Sequence, residues 1–171
     1  MSKEEAETGI REYDFVSGYF EGRASVRRGL WGFIDEAGNE IIPCIYLSVR
    51  NFVDGMAIAQ NESEKWGCID VNGKEVIPFK YDRINDFLDG ETLVAYVFSQ
   101  PFSSGDHYGF GAYETEGYGY HIHYRFINKD GNETFAHDEY KEDTSFTAGA
   151  KTYTLNMPDN KTAKIKWGIK S

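Results

Sequence analysis

Three stretches of this chain repeat one pattern, and the repetition limits the fold more than any single residue does. Trp31-Gly32-Phe33-Ile34-Asp35 runs on to Gly38, Pro43 and Tyr46. Trp66-Gly67-Cys68-Ile69-Asp70 runs on to Gly73, Pro78 and Tyr81, and Tyr124-Arg125-Phe126-Ile127-Asn128 runs on to Gly131 and Tyr140. A spacing of about 35 residues between copies reads as one small unit copied along the chain. In register, each unit starts at a tyrosine: Tyr13, Tyr46, Tyr81 and Tyr140. An aromatic follows (Tyr19, Phe52, Phe87, Phe146), then a glycine (Gly22, Gly55, Gly90, Gly149), then a short apolar run. The fourth unit is truncated and ends at Trp167-Gly168-Ile169.

Each unit reads as β-structure. Trp31, Phe33 and Asp35 alternate with Gly32 and Ile34 at the period of a strand. Asp35 to Gly38, Asp70 to Gly73 and Asn128 to Gly131 read as tight turns, opened by an Asp or Asn side chain and closed by glycine. A second strand follows, and Pro43 and Pro78 are expected to end it, because proline cannot donate to a ladder. Phe87 to Gly90 and its equivalents read as a bend or a 3₁₀ turn. Residues Lys3 to Glu12 read as a short helix or a frayed end, and no long helix is evident. Gly32 and Gly67 weaken a strand, so a neighbouring ring or backbone is expected to pass close by. Trp31 and Trp66 are expected in the core, as are Cys44 and Cys68, which stand where other copies have phenylalanine.

The pattern Tyr-x5-aromatic-x2-Gly, apolar run, Trp-Gly-aromatic-Ile-Asp-x2-Gly-x-Glu-apolar-Ile-Pro-x2-Tyr resembles the bacterial WG-repeat family. Residues 13–98 match it closely, 124–170 weakly, and 99–123 not at all. The resemblance implies an all-β array of about four short antiparallel β-hairpin or meander repeats of about 33–35 residues. The third carries a long inserted hairpin or loop. The expected organisation is an N-terminal extension, 1–12, and a single repeat domain, 13–171. Its units are 13–45, 46–80, 81–139 and 140–171, with the insertion at 99–123. The resemblance carries no catalytic residues, since the family motif is structural; interaction is the role it implies.

Composition narrows the function classes. The formal charge is −10 at pH 7, which argues against nucleic acid or an anionic membrane as a direct partner. No run approaches the about 20 apolar residues of a membrane span. The polar, acidic start of the chain lacks the pattern of a signal peptide, so a cytoplasmic location is expected. The charge is uneven: residues 81–139 hold eleven acids and three bases, a net of −8.

That stretch is also where the pattern breaks. Insertions in repeat proteins map to loops on one face, which often binds. Residues 99–123 carry Phe102, Tyr108, Phe110, Tyr113, Tyr118 and Tyr120 with five glycines and no Lys or Arg. Tyrosine with glycine is the chemistry of adaptable recognition. The competing reading is an elongated hairpin whose aromatics cover the repeat core. The candidate partner-binding residues are Tyr108, Phe110, Tyr113, Tyr118 and Tyr120, with the acids Asp86, Asp89 and Glu91 beside them. An aromatic loop among acids suits a basic protein.

Other chemistry lacks its residues. His121 and His123 share a strand face, but the remaining histidines supply no recognisable ligand spacing, so no metal is expected. Gly109-Phe-Gly111 and Gly117-Tyr-Gly119 lack the third glycine and the Lys-Ser/Thr of a phosphate loop. No nucleophile-and-base signature is present, and no cofactor is expected. The leading expectation is therefore a non-enzymatic protein-interaction module; its sharper form is an acidic inhibitor or immunity-type protein for a basic partner. The alternative is a glycan or cell-wall binding module, with Tyr118 and Tyr120 stacking on sugar rings. A hydrolase ranks below both.

Overall fold

The computed structural model describes residues 12–103, 116–143 and 157–169, with side chains over 12–98, 121–139 and 157–169. Of the helix or frayed end expected at Lys3 to Glu12, residues 3–11 lie outside the described residues, as do Phe146 and Gly149 of the fourth unit. Three antiparallel sheets of four strands follow one another along the chain. The first holds β1 (Phe15–Phe20), β2 (Arg23–Arg28), β3 (Leu30–Asp35) and β4 (Glu40–Tyr46). The second holds β5 (Ser48–Val49), β6 (Met56–Gln60), β7 (Trp66–Asp70) and β8 (Glu75–Tyr81). The third holds β9 (Arg83–Ile84), β10 (Glu91–Ser103), β11 (Glu116–Asn128) and β12 (Glu133–Asp143). In each, spatial order follows chain order, so every sheet is a meander. One helix among the described residues, α1, spans Asn160–Lys166. The all-β repeat architecture is as the sequence reads.

Two turns per unit set the meander. Phe20 and Arg23 are joined through Glu21 (φ 53°) and Gly22 (φ 74°), and the second and third units repeat this at Asp54-Gly55 and Asp89-Gly90. Positive φ at both central residues is what a type I′ hairpin turn requires; the expected bend or 3₁₀ turn is this tighter connection. The other turn follows the Trp-Gly strand. Asp35 Oδ1 accepts from the Ala37 and Asn39 amides at 3.0 and 2.9 Å, and Asp70 and Asn128 do the same for their own turns. These side chains are occupied in holding the scaffold.

The Trp-Gly pair and the downstream proline turn out to belong to one device. Trp31 pairs with Tyr46 and Phe33 with Ile42, so two residues of β3 face four of β4. The same shift separates Trp66–Tyr81 from Cys68–Ile77. The surplus makes a bulge that holds Pro43 or Pro78. The prolines therefore lie within β4 and β8 and do not end them: a bulged residue on an edge strand needs no ladder N–H. The bulge crosses directly over the glycine. A Cβ on Gly32 would meet the Ile42 carbonyl oxygen, with Pro43 C at 2.7 Å and Cys44 N at 2.8 Å. In the third sheet Arg125 pairs directly with Ala136, and the bulge is absent at that point. With no bulge and no proline, the glycine is not needed, and arginine stands there.

Both faces of the second and third sheets are buried; in the first, Ala24, Val26 and Ile34 are buried on the face away from the second sheet, while Phe15, Tyr19 and Phe20 of β1 are exposed. Phe33, Ile42 and Tyr46 of the first sheet pack on Ala57, Ala59 and Ile69 of the second. Ile58, Cys68, Ile77 and Tyr81 of the second pack on Val94 and Ile127 of the third. The far face of the third, with Leu93, Tyr124 and Phe126, is covered by Ala163, Met157, Trp167 and Ile169. The sheets thus stack in chain order, each burying a face that could not be buried alone. A fully buried Ile or Leu stabilises such a stack by about 1.5–3 kcal/mol. Trp31 and Trp66 are only half-buried, on the rim of the stack, so the fully buried aromatics are Phe33, Phe52, Tyr81 and Phe126. Cys68 is fully buried and Cys44 half-buried; both are free thiols. Burial pushes the Cys68 thiol up to about 12, which leaves it protonated and inert.

The fourth Trp-Gly is not in a strand. Trp167 caps the C-terminus of α1 and packs on Tyr124, with centroids 5.1 Å apart, and on His137 at 4.6 Å. Asp159 starts the helix by accepting from the Thr162 amide at 2.8 Å, and Lys164 and Lys166 sit favourably in its last turn. This short helix, which the repeat pattern concealed, covers the end of the stack formed by the described residues.

Candidate interaction surface on the third repeat

The third unit differs from the first two in the length of one hairpin. β2–β3 and β6–β7 pair over five or six residues, whereas β10 and β11 pair over thirteen, from Glu91–Asn128 to Ser103–Glu116. The inserted residues thus extend the hairpin that joins the apolar strand to the Trp-Gly strand. Where it leaves the stack, Tyr96 stacks on His123 with centroids 5.5 Å apart. Phe98 meets the same imidazole edge-on at 5.2 Å and is 52% exposed. Arg125 lies over Tyr96 and bonds Asp138 at 2.6 Å, and Asp138 also reaches His123 Nδ1 at 2.9 Å. The bond from Arg125 holds the Asp138 carboxyl below its ordinary range. Phe98, His123 and Asp138 were not singled out as partner-binding in the sequence, although alternation along β10 and β11 places Phe98 and His123 on one strand face.

The sequence-predicted site residues fall into two places. Asp86, Asp89 and Glu91 lie at the first turn of the third unit, while Tyr118 and Tyr120 pair with Pro101 and Ser99 well along the hairpin. Glu91 and Ser99 are eight residue steps apart along β10, roughly 26 Å, so the acids and these tyrosines do not form one site. Tyr108, Phe110 and Tyr113 lie outside the described residues. The acids are also engaged. Asp86 Oδ1 accepts from Arg50 at 2.7 Å, Asp82 from Lys65 at 2.5 Å, and Glu91 from Lys164 at 2.9 Å. Asp89 sits exposed in its turn.

These acids border a groove between the Asp86–Gly90 turn and α1. One part, about 430 Å³, is lined by Arg50, Asp86, Phe87 and Asp159; the next, about 460 Å³, by Asp89, Glu91, Lys164 and Ile165. Leu88, Asn160 and Lys161 border both parts. Asn160 anchors the floor: its Oδ1 accepts from the Leu93 amide and from Asn85 Nδ2 at 3.0 Å each, and its Nδ2 donates to the Asp86 carbonyl at 2.9 Å. Among the described residues, no group of three or more His, Cys, Asp or Glu converges as a metal ion would need, and no helix is long and apolar enough to cross a membrane.

Residues 31–64 and 66–97 each match the family model described as WG containing repeat. The chain carries two WG containing repeats. Each begins at one of the two Trp-Gly strands whose glycine lies under a proline-bearing bulge. No curated protein and no solved structure matches the chain. The first WG repeat runs from β3 to β6 and the second from β7 into β10, so each bridges two neighbouring sheets of the stack, and the second stops where the long hairpin leaves it.

The attachment of α1 predicts a pH response. The Lys164 ammonium holds the Glu91 carboxyl below its ordinary value, and the Thr162 amide does the same for Asp159. The folded state therefore binds fewer protons than the unfolded one between the folded and ordinary values. The stabilisation is complete above the ordinary carboxylate range, about pH 4–4.5, and is lost as pH falls through the folded values. Amide exchange across 160–167 is expected to accelerate between pH 4.5 and 3 relative to β6 and β7, after correction for intrinsic rates; unchanged relative protection would contradict this.

Proposed function

We propose that the chain is a non-enzymatic protein-interaction module whose contact surface is the long β10–β11 hairpin. The observation that carries this reading is the hairpin's length. Sheet faces in the stack are used in packing, and the turn carboxylates in holding turns, whereas this hairpin runs past the stack and brings Phe98 half into solvent beside His123. Half-exposed aromatics beside polar rings are the chemistry of interface anchors. The net −8 of residues 81–139 favours a basic partner, and an inhibitor or immunity-type protein is the sharper form. Tyr118 and Tyr120, at alternate positions of β11, keep glycan binding as the second reading.

Replacing residues 100–119 by Asn-Gly gives the comparison. The shortened protein is expected to fold, since loop closure depends weakly on length. In pull-downs from the source cell, the intact chain is expected to retain a basic protein at low salt and release it at high salt, with the shortened chain retaining none. Equal retention by both would place the contact elsewhere. A glycan array with hits for the intact chain alone would favour the second reading.

A further inference from the structure

The type I′ turns at the start of the three units lie in succession along the stack, and the first grips the second. Glu21, a central residue of the first turn, sends its carboxylate to the second: Oε1 accepts from the Asp54 amide and Oε2 from the Gly55 amide, each at 2.7 Å. One planar carboxylate thus satisfies two adjacent N–H groups, one per oxygen, in a charge-assisted pair. The conformation that presents them is the left-handed pair Asp54 (φ 52°) and Gly55 (φ 78°), an anion-receiving arrangement of successive amides.

The third unit presents the same pair. Asp89 (φ 53°) and Gly90 (φ 83°) repeat the geometry, and Leu88 and Glu91 exchange the same two backbone bonds as Val53 and Met56. The residue in register with Glu21 is now Asp54, one methylene shorter. Its carboxylate is instead bonded to Lys129 Nζ at 2.6 Å. Among the described residues no acceptor meets the Asp89 and Gly90 amides. Between the second and third turns lies a cavity of about 130 Å³, bordered by Asp54, Asp89 and Gly90 and by the cations Arg50 and Lys129.

We propose that the Asp89–Gly90 turn is a binding site for a carboxylate supplied from outside the chain, a glutamate or aspartate side chain of a partner, received as the Asp54–Gly55 turn receives Glu21. The occupant's chemistry is set by the occupied copy of the site in the preceding unit. Arg50 and Lys129 at the cavity wall are paired with Asp86 and Asp54, and with Asp89 the lining holds three acids to two cations, so the amides and not the net charge make the site. The site lies at the base of the third unit, apart from the hairpin, and is independent of the function proposed above.

The test uses acetate as the probe and the backbone amides as the readout, with sodium chloride as the ionic-strength control. In a nitrogen–proton correlation spectrum of the full chain, acetate is expected to shift the Asp89 and Gly90 amides saturably and to leave Asp54 and Gly55 unmoved. In Glu21→Ala, Asp54 and Gly55 are expected to become responsive. In Asp54→Glu, whose longer side chain reaches the third turn, Asp89 and Gly90 are expected to stop responding. Asp89 and Gly90 amides that do not shift in the unaltered chain would overturn the proposal, whether or not either variant folds. So would an equal response in a folded Asp54→Glu protein, or a response to chloride equal to that to acetate.

Discussion

Tyr81→Ala is expected to destabilise the protein by about 3–5 kcal/mol, the cost of emptying a large buried site that cannot collapse. Tyr81 is 1% exposed and packs in the middle of the stack, among Ile77 and Ile84 and against Tyr96 with ring centroids 5.8 Å apart. Its removal leaves a void between the second and third sheets, the junction on which the long hairpin depends for its base. Trp66, which faces Tyr81 across the strand pair, gives the contrast. The sequence expects it in the core, at a comparable cost on truncation. It is instead half-buried, with the Arg50 guanidinium 5.4 Å from its ring centroid. Trp66→Ala is therefore expected to cost about 1–2 kcal/mol, from partial burial and one exposed cation–π contact. Urea unfolding followed by far-ultraviolet circular dichroism measures both. A cost for Trp66→Ala equal to that for Tyr81→Ala would contradict the rim placement.

The two residues show why the repeat was legible and its energetics were not. Recurrence marks a position as structural without saying how it is structural. Asp35, Asp70 and Asn128 could be read as turn residues because the turn is local: the side chain bonds amides two and four residues on. Gly32 and Gly67 could be read as sites of close approach, since glycine within a strand is otherwise a loss. What approached them could not be read, because the bulge lies on the next strand. Proline was the signal, misread as a strand end. The helix was concealed for a related reason. Trp167-Gly168 copies the motif of a strand, while Asp159 and the lysines of the last turn supply the cap and charge of a helix. Tertiary contact with Tyr124 and His137 packs the tryptophan ring, while its buried indole N–H meets no acceptor among the described residues.

The candidate site divides in the same way. Alternation along β11 places Tyr118 and Tyr120 together, a local inference. Grouping them with Asp86, Asp89 and Glu91 sets residues at the base of the long hairpin beside residues opposite Ser99 and Pro101, most of the way along the thirteen-residue β10. The net charge of the segment was legible too, but its pairing was not: Arg50, Lys65 and Lys164 come from distant parts of the chain to neutralise Asp86, Asp82 and Glu91.

Gly67→Ala is expected to cost about 3 kcal/mol, at the upper end for overpacking because the obstruction is backbone. The added methyl would lie 2.6 Å from the Ile77 carbonyl oxygen and 3.0 Å from the Phe79 amide nitrogen. A side chain can turn aside from such a contact. Here the bulge itself must move, and it fixes Tyr81 against Trp66 and Ile77 against Cys68. Gly32→Ala meets the same obstruction from Ile42, Pro43 and Cys44 in the first sheet and is expected to cost as much. The third sheet supplies the internal control. Arg125 occupies the equivalent position opposite Ala136 without a bulge, so Arg125→Ala adds no clash and removes the contacts to Asp138, Glu133 and the Tyr96 ring. Its cost is expected at about 1–2 kcal/mol, set by ion pairs to half-exposed carboxylates and one cation–π contact. Thermal and urea unfolding of the three variants together test whether glycine is required by the bulge or by the strand. Glycine variants within about 0.5 kcal/mol of the unaltered protein, the ordinary range of surface substitutions, would show that β4 and β8 can give way. The pairing of Trp-Gly with the downstream proline would then need another cause.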